Sequence, residues 1–197
     1  MNTVIENYLE RLTDSLHGRC IHTGGVLYME RYYLKSFRLF GKKYAIFIQR
    51  FNRSDAEREL HNHPWRWALS FILVGWYFEY RLRRQKDFVG TVRKQRRRFF
   101  NALFADTFHR VVLPVDERGK HYPVWTLFIH GPAESERWGF LHPLTTAGDY
   151  GVDGKHYKNV ILYATFGPFE PTEFSITGLG WHLKQYRNEP IPNEKAV

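Results

Sequence analysis

Three histidines carry the chemistry that this chain could perform. His61 and His63 flank a single residue in His61-Asn62-His63-Pro64-Trp65. On an extended strand, side chains alternate faces with a period of two, so both imidazoles project to the same side. Neighbouring neutral imidazoles are good ligands for a transition metal. His109, in Ala105-Asp106-Thr107-Phe108-His109-Arg110-Val111, opens another apolar run and could complete the set. Three imidazoles on a rigid scaffold leave coordination positions open for substrate, water or dioxygen, as a catalytic metal requires. A bare His-x-His also describes two solvent-facing histidines on a strand, so the pair gains its weight from what surrounds it.

An apolar run from Trp67 to Val74 follows the pair, and Gly75 closes it. Four residues separate His63 from Ala68, and six separate Ala68 from Gly75. This spacing resembles the first motif of the cupin superfamily, in which His-x-His is followed by a Glu and then a Gly. Ala68 stands at the family's Glu position, so the fourth protein ligand of many cupins is missing. The second cupin motif, Gly-x-x-His, is matched loosely by Asp106 and His109, and its Pro and Asn positions hold Phe104 and Leu113. The pattern is thus similar to three-histidine cupins, the arrangement of thiol dioxygenases and some other small-molecule dioxygenases. Phe108-His109-Arg110-Val111, Phe128-Ile129-His130-Gly131-Pro132 and Arg137-Trp138-Gly139-Phe140 extend the resemblance to small cupin-like proteins of bacterial and phage genomes.

The resemblance covers about residues 25 to 140. It implies an all-β jelly-roll barrel, one divalent metal on His61, His63 and His109, and a dioxygenase or other oxygenase acting on a small molecule. Fe(II) is the ion it favours, although imidazole ligands alone would accept Ni, Mn, Cu or Zn. A metal-dependent isomerase or epimerase is a further expectation. So is a cupin that has kept its barrel as a binding scaffold and lost its metal. Pairing of two copies through their sheets, giving a homodimer, is expected on the same ground.

Other residues are candidates for supporting roles. Glu79 could offer a carboxylate to the metal, although pairing with one of the nearby arginines is the commoner role for such a residue. His130, beside Gly131-Pro132, could act as a base near the pocket, against the plainer role of a hydrogen-bonded structural histidine. An anionic substrate would need an arginine, whose planar fork holds a carboxylate or phosphate through two hydrogen bonds. Arg50, Arg53 and Arg58 precede the histidine strand and Arg137 adjoins Trp138-Gly139, so Arg58 and Arg137 are taken with His130 as the catalytic candidates. Trp65, Trp67, Tyr77 and Trp125 could line the pocket.

A second feature is a basic hairpin. Between residues 81 and 98 stand Arg81, Arg83, Arg84, Lys86, Arg93, Lys94, Arg96, Arg97 and Arg98 against the single acid Asp87. Arg93, Arg96, Arg97 and Arg98 are candidates for holding nucleic acid or another anion. The alternative is an edge strand whose charges discourage pairing with another chain.

The elements that must position these residues follow from periodicity. Residues 3 to 16 read as a helix: Thr3 and Glu6 have capping-box spacing, and Val4, Ile5, Tyr8, Leu9, Leu12 and Leu16 form one stripe, expected to pack on the outside of a sheet. Strands are expected at Val26–Leu34, Tyr44–Phe51, Trp67–Val74, Trp76–Leu82, Thr91–Phe100, Arg110–Leu113, Val124–His130, Arg137–Leu141 and Val160–Phe166. Gly41-Lys42-Lys43 and Lys86 to Gly90 read as turns, Thr145–Gly154 as a surface loop, and Trp181–Arg187 as a short helix. Many short strands without regular helices argue for a sandwich or closed barrel.

Composition agrees with one domain of 197 residues, a core at about 25–142 and a C-terminal extension at 143–197. A hydrophobic share of 43% can fill a sizeable core, and a 17% aromatic share suits strands and aromatic-lined surfaces. The single cysteine, Cys20, leaves no internal disulfide framework and points to a reducing cytoplasm. The N-terminus does not read as a signal peptide, and no apolar run approaches the roughly 20 residues needed to span a bilayer. A net charge of +9 favours anionic partners without naming one.

Overall fold

A computed structural model describes residues 3–23, 25–55, 60–84, 89–133, 139–143, 157–166 and 173–176. One helix, α1 (Thr3–Thr13), precedes β1 (Gly18–Thr23), β2 (Val26–Leu39), β3 (Lys42–Phe51), β4 (Leu60–His61), β5 (Trp67–Val74), β6 (Tyr77–Arg84) and β7 (Val89–Arg97). Then follow β8 (Phe100–Phe104), β9 (His109–Val112), β10 (Val124–His130), β11 (Gly139–Pro143), β12 (Tyr157–Phe166) and β13 (Glu173–Ile176). The fold is all-β, as the strand-rich pattern anticipates. No helix among the described residues is long and apolar enough to cross a membrane.

The strands form two antiparallel sheets. One holds seven strands in the order β13-β1-β2-β3-β10-β5-β8, and the other closes on itself as β11-β12-β7-β6-β9-β4. Closure removes exposed edges from the second sheet. Along β6 and β7 the residues alternate by face, which decides where the charges go. Tyr77, Glu79 and Arg81 share one face, and the register sets Tyr77 opposite Arg97 and Arg81 opposite His109.

The apolar core is divided. Leu9 of α1 packs with Cys20, Leu27, Tyr32, Ile48, Val74 and Trp125, while Phe47, Ala68, Leu103 and Phe128 form a second cluster with Ala45. The helix docks differently from its expected stripe: Val4, Ile5, Tyr8 and Leu12 are exposed. Leu9 and Leu16 of that stripe do pack into the core, Thr13 is buried as well, and Glu6 and Glu10 reach Arg50 on β3 at 4.0 and 3.7 Å. These ion pairs add an acidic side to the contact between helix and sheet, which hydrophobic periodicity alone does not register.

Several strand limits also differ from expectation. β2 runs to Leu39 and β3 starts at Lys42, so the hairpin turn is Phe40-Gly41, both with positive φ (50° and 74°). Such a pair is the geometry that matches strand twist in a two-residue hairpin. β1 was not anticipated, because Gly18 to Thr23 is too short and polar to show alternation. The single strand expected at Thr91–Phe100 is two: β7 ends at Arg97, and the chain crosses through Arg98-Phe99 to pair with β5 as β8. β13 has no counterpart among the expected strands. The loop at Thr145–Gly154 and the helix at Trp181–Arg187 lie outside the described residues.

Candidate metal centre

β4 and β9 are neighbours in the closed sheet, and their single registered pair is His61 opposite His109. The strand ends at His61, yet the alternation persists: buried Asn62 turns its side chain away, donating to the Ala105 carbonyl at 3.0 Å, and His63 comes back to the side of His61. The three rings then form a nearly equilateral set, with centroids 5.0 Å (His61–His63), 5.1 Å (His61–His109) and 5.1 Å (His63–His109) apart. One ring nitrogen from each lies within 4.8 Å of the others. His63 Nε2 and His109 Nε2 are 2.9 Å apart. Two imidazole nitrogens bound about 2.1 Å from one ion, at right angles, would be about 3.0 Å apart. The trio could hold a metal ion.

The nitrogens must be neutral to bind one. Burial pushes the His61 pKa down to about 4; the charge of Asp55 opposes the fall and His109 adds to it. Burial likewise takes His63 well below the usual histidine value, with His61, His109 and Arg31 contributing. Both are therefore neutral at pH 7.

A carboxylate flanks two of the rings. Glu79, fully buried, accepts from His109 Nδ1 at 3.0 Å, which fixes the proton on Nδ1 and turns the Nε2 lone pair toward His63. Burial would raise the Glu79 pKa, but the hydrogen bond and charge of His109 and those of Arg81 outweigh it and hold the carboxylate far below its usual range. Glu79 Oε1 also accepts from Arg81 Nη2 and Asn101 Nδ2, both at 2.8 Å, and Oε2 from Arg97 Nε at 2.8 Å. On the His61 side, Asp55 Oδ2 lies 3.8 Å from Nδ1 and accepts the Val111 amide at 2.6 Å, while the Tyr28 hydroxyl donates to Oδ1. Carboxylates behind ligand imidazoles fix their tautomer and raise their basicity.

Glu79 thus meets two arginines and a histidine instead of aiming at the centre of the trio. Ala68 is buried in the apolar cluster with Phe128 and Leu103 and offers no ligand atom. His130 donates from Nδ1 to the Gly131 carbonyl at 2.7 Å, and burial, then the charges of Arg31 and Lys43, lower its pKa against the pull of that bond. It stacks on Trp65 (4.6 Å, 19°), which itself stacks on His63 (5.1 Å, 20°), so the indole links His130 to the trio. Arg31 on β2 adds positive potential to both His63 and His130.

The other candidates are distributed more widely. Arg50 pairs with the helix and with Glu30, and its guanidinium lies 5.3 Å over Trp125, on the helix side of the sheet. Arg58 and Arg137 lie outside the described residues. Arg97 turns inward to Glu79; Arg93, Arg96 and Arg98 are exposed. Two surface clefts, one lined by Arg96 to Phe100 and one by Arg66, Trp67, Phe104, Ala105 and Asp106, contain none of the three histidines. The sequence pattern does not reveal Asp55 or Arg31; for Glu79 it anticipates the pairing with arginines, here Arg81 and Arg97, but not the bond to His109. The signal for Glu79 was its position two residues from Arg81 on a strand facing His109, which becomes visible only once the β6–β9 register is known. No protein-family model matches the chain, and no curated protein matches it.

Proposed function

We propose that the protein is a metal-dependent cupin enzyme, a non-haem Fe(II) oxygenase acting on a small molecule. The observation that carries this reading is the convergence of three buried or half-buried imidazoles with His63 and His109 nitrogens 2.9 Å apart and His109 braced by Glu79. The antiparallel two-sheet architecture is compatible with a jelly roll, and the choice of iron rests on resemblance to three-histidine cupins. Buried Cys20, the single cysteine of the chain, suits a reducing cytoplasm.

A bound divalent ion would supply Lewis acidity, open coordination positions and, as iron, one-electron chemistry. The chain's own residues do the rest. His61, His63 and His109 would hold the ion on one side, leaving the opposite side for substrate. Trp65 walls the His63 side and keeps water from that imidazole. Arg31, near His63 and His130 in the field it exerts, would orient an anionic substrate group. His130 keeps its Nδ1 proton on the Gly131 carbonyl, so its Nε2 is the atom able to take a proton.

The test is the metal content of untagged protein purified without chelator, together with oxygen uptake on small thiols, amino acids and phenols. Near-stoichiometric iron and substrate-dependent oxygen consumption, both lost in His61→Ala and His109→Ala, are expected. Zinc or nickel without oxygen uptake would move the assignment to an isomerase or epimerase. A metal-free protein whose two variants fold and behave as the parent does would overturn it.

A further inference from the structure

The turn that carries the chain from one sheet to the other holds a surface the metal centre does not use. β7 ends at Arg97, Arg98-Phe99 crosses over, and Phe100 opens β8 at the edge of the seven-stranded sheet. Arg96 to Phe100 line a cleft of about 400 Å³. Arg96 and Arg98 are exposed; Phe99 is 76% exposed and Phe100 45%. Phe71, 38% exposed and opposite Phe100 in the β5–β8 register, extends the aromatic surface with its ring 5.3 Å from that of Phe100.

The alternation of β7 sorts its cations. Arg97 points inward and is held by Glu79. Lys94 and Arg96 lie on the other face, each 4.2 Å from the centre of an aromatic ring, Phe78 and Trp76 respectively. That stacking holds the cations in place while leaving their charge at the surface. Arg98 lies 5.8 Å from the Phe99 ring and Arg93 is exposed on the same hairpin. Cations alone would suit any polyanion. Phenyl rings left in water beside them add a selective requirement, because a flat π-face is what they can bury. A duplex presents phosphates but keeps its base faces stacked, and an acidic peptide offers charge without a flat ring. A single strand offers both.

We propose that this turn binds single-stranded nucleic acid, with phosphates on Arg96 and Arg98 and a base stacked on Phe99. The test is fluorescence anisotropy of a labelled single strand of roughly 12 nucleotides with the full chain, between about 50 and 300 mM salt. Binding should weaken linearly in a log–log plot against salt. Arg96→Ala with Arg98→Ala should reduce that slope by about 1.4, at about 0.7 per phosphate contact. Phe99→Ala should weaken binding about tenfold and leave the slope unchanged. Lys42→Ala, at the exposed start of β3, should change neither. Phe99 is exposed, so its variant keeps the fold, and a thermal melt checks this. Absence of binding at the lowest salt, binding indifferent to Phe99→Ala, or equal competition by duplex, free mononucleotide or polyglutamate would overturn the proposal.

Discussion

Glu79 is held by His109 from one neighbouring strand and by Arg97 from the other. His109 Nδ1 reaches Oε1 at 3.0 Å, and Arg97 Nη2 lies 2.7 Å from Oε2. Both contacts are diagonals of the ladder: Glu79 is opposite Val111 and Gln95, each two residues from the partner it uses. One buried carboxylate therefore fixes a candidate metal ligand and neutralises inward cations of the hairpin.

Replacing it separates these two duties. Glu79→Gln preserves volume but turns an amide N–H toward donors, so metal affinity should fall about 10–100-fold. Removing the charge from a buried ionic group should also destabilise the fold by about 3 kcal/mol. Arg97→Ala leaves the contact with His109 in place, and should cost stability with a much smaller change in affinity. Metal titration by calorimetry and chemical denaturation of the two variants check this. Equal loss of affinity in both would mean that Glu79 acts on the metal only through general stability.

The pH dependence of the metal-free protein has a defined sign. His61 has a pKa near 4 when folded, against 6.5 for an unperturbed histidine. Between those values the unfolded chain binds a proton that the native one does not, so stability is full above pH 6.5 and declines as pH falls toward 4. For His61 the shift is worth at most about 3 kcal/mol, less in practice because its side chain remains 19% exposed. His63, also lowered, acts in the same direction. Glu79, with a depressed pKa, adds stability that is lost only below the normal glutamate range. Denaturation of chelator-treated protein from pH 8 to 4 should show this decline, and His61→Ala should make it shallower between pH 6.5 and 4.

Trp65 should report ligand binding at His63. Its ring is 5.1 Å from the imidazole and nearly parallel to it. A paramagnetic ion such as Fe(II) or Cu(II) added to the metal-free protein should quench part of the tryptophan emission, and Trp65→Phe should remove most of that quenching without abolishing uptake measured by calorimetry. Undiminished quenching in the variant would place the ion elsewhere.

How much of this was legible beforehand depends on distance along the chain. His61, His63 and Gly75 lie close together in the chain, at the end of β4, just beyond it and after β5, and their spacing alone marks them out. Gly75 also carries φ 86°, with the site of a Cβ only 3.1 Å from the Pro123 carbonyl oxygen, so its identity has a local physical cause. His109 was found because it opens an apolar run. Glu79, Asp55 and Arg31 depend on which strand neighbours which, and nothing local in their surroundings states it. The split at Arg98-Phe99 was hidden for a related reason: the residues on both sides have strand character, and only pairing partners show that the chain changes sheets. Arg96 and Arg97 look alike in sequence, yet alternation sends one to the surface and the other to Glu79.

The β2–β3 turn offers the last prediction, because there the residue opposes its conformation. Phe40 has φ 50° and is 92% exposed, so it occupies the left-handed region while burying almost nothing. A residue with a Cβ incurs about 1–2 kcal/mol for that geometry, and asparagine much less because its short side chain can bond locally. Phe40→Asn should therefore stabilise the protein by about 0.5–1 kcal/mol and raise its melting temperature by a few degrees. Phe40→Val should do the reverse, since branching at Cβ worsens the strain. If Phe40→Asn is destabilising instead, the exposed ring must be covered in solution by something that rewards its presence, and the edge of this hairpin becomes a contact surface.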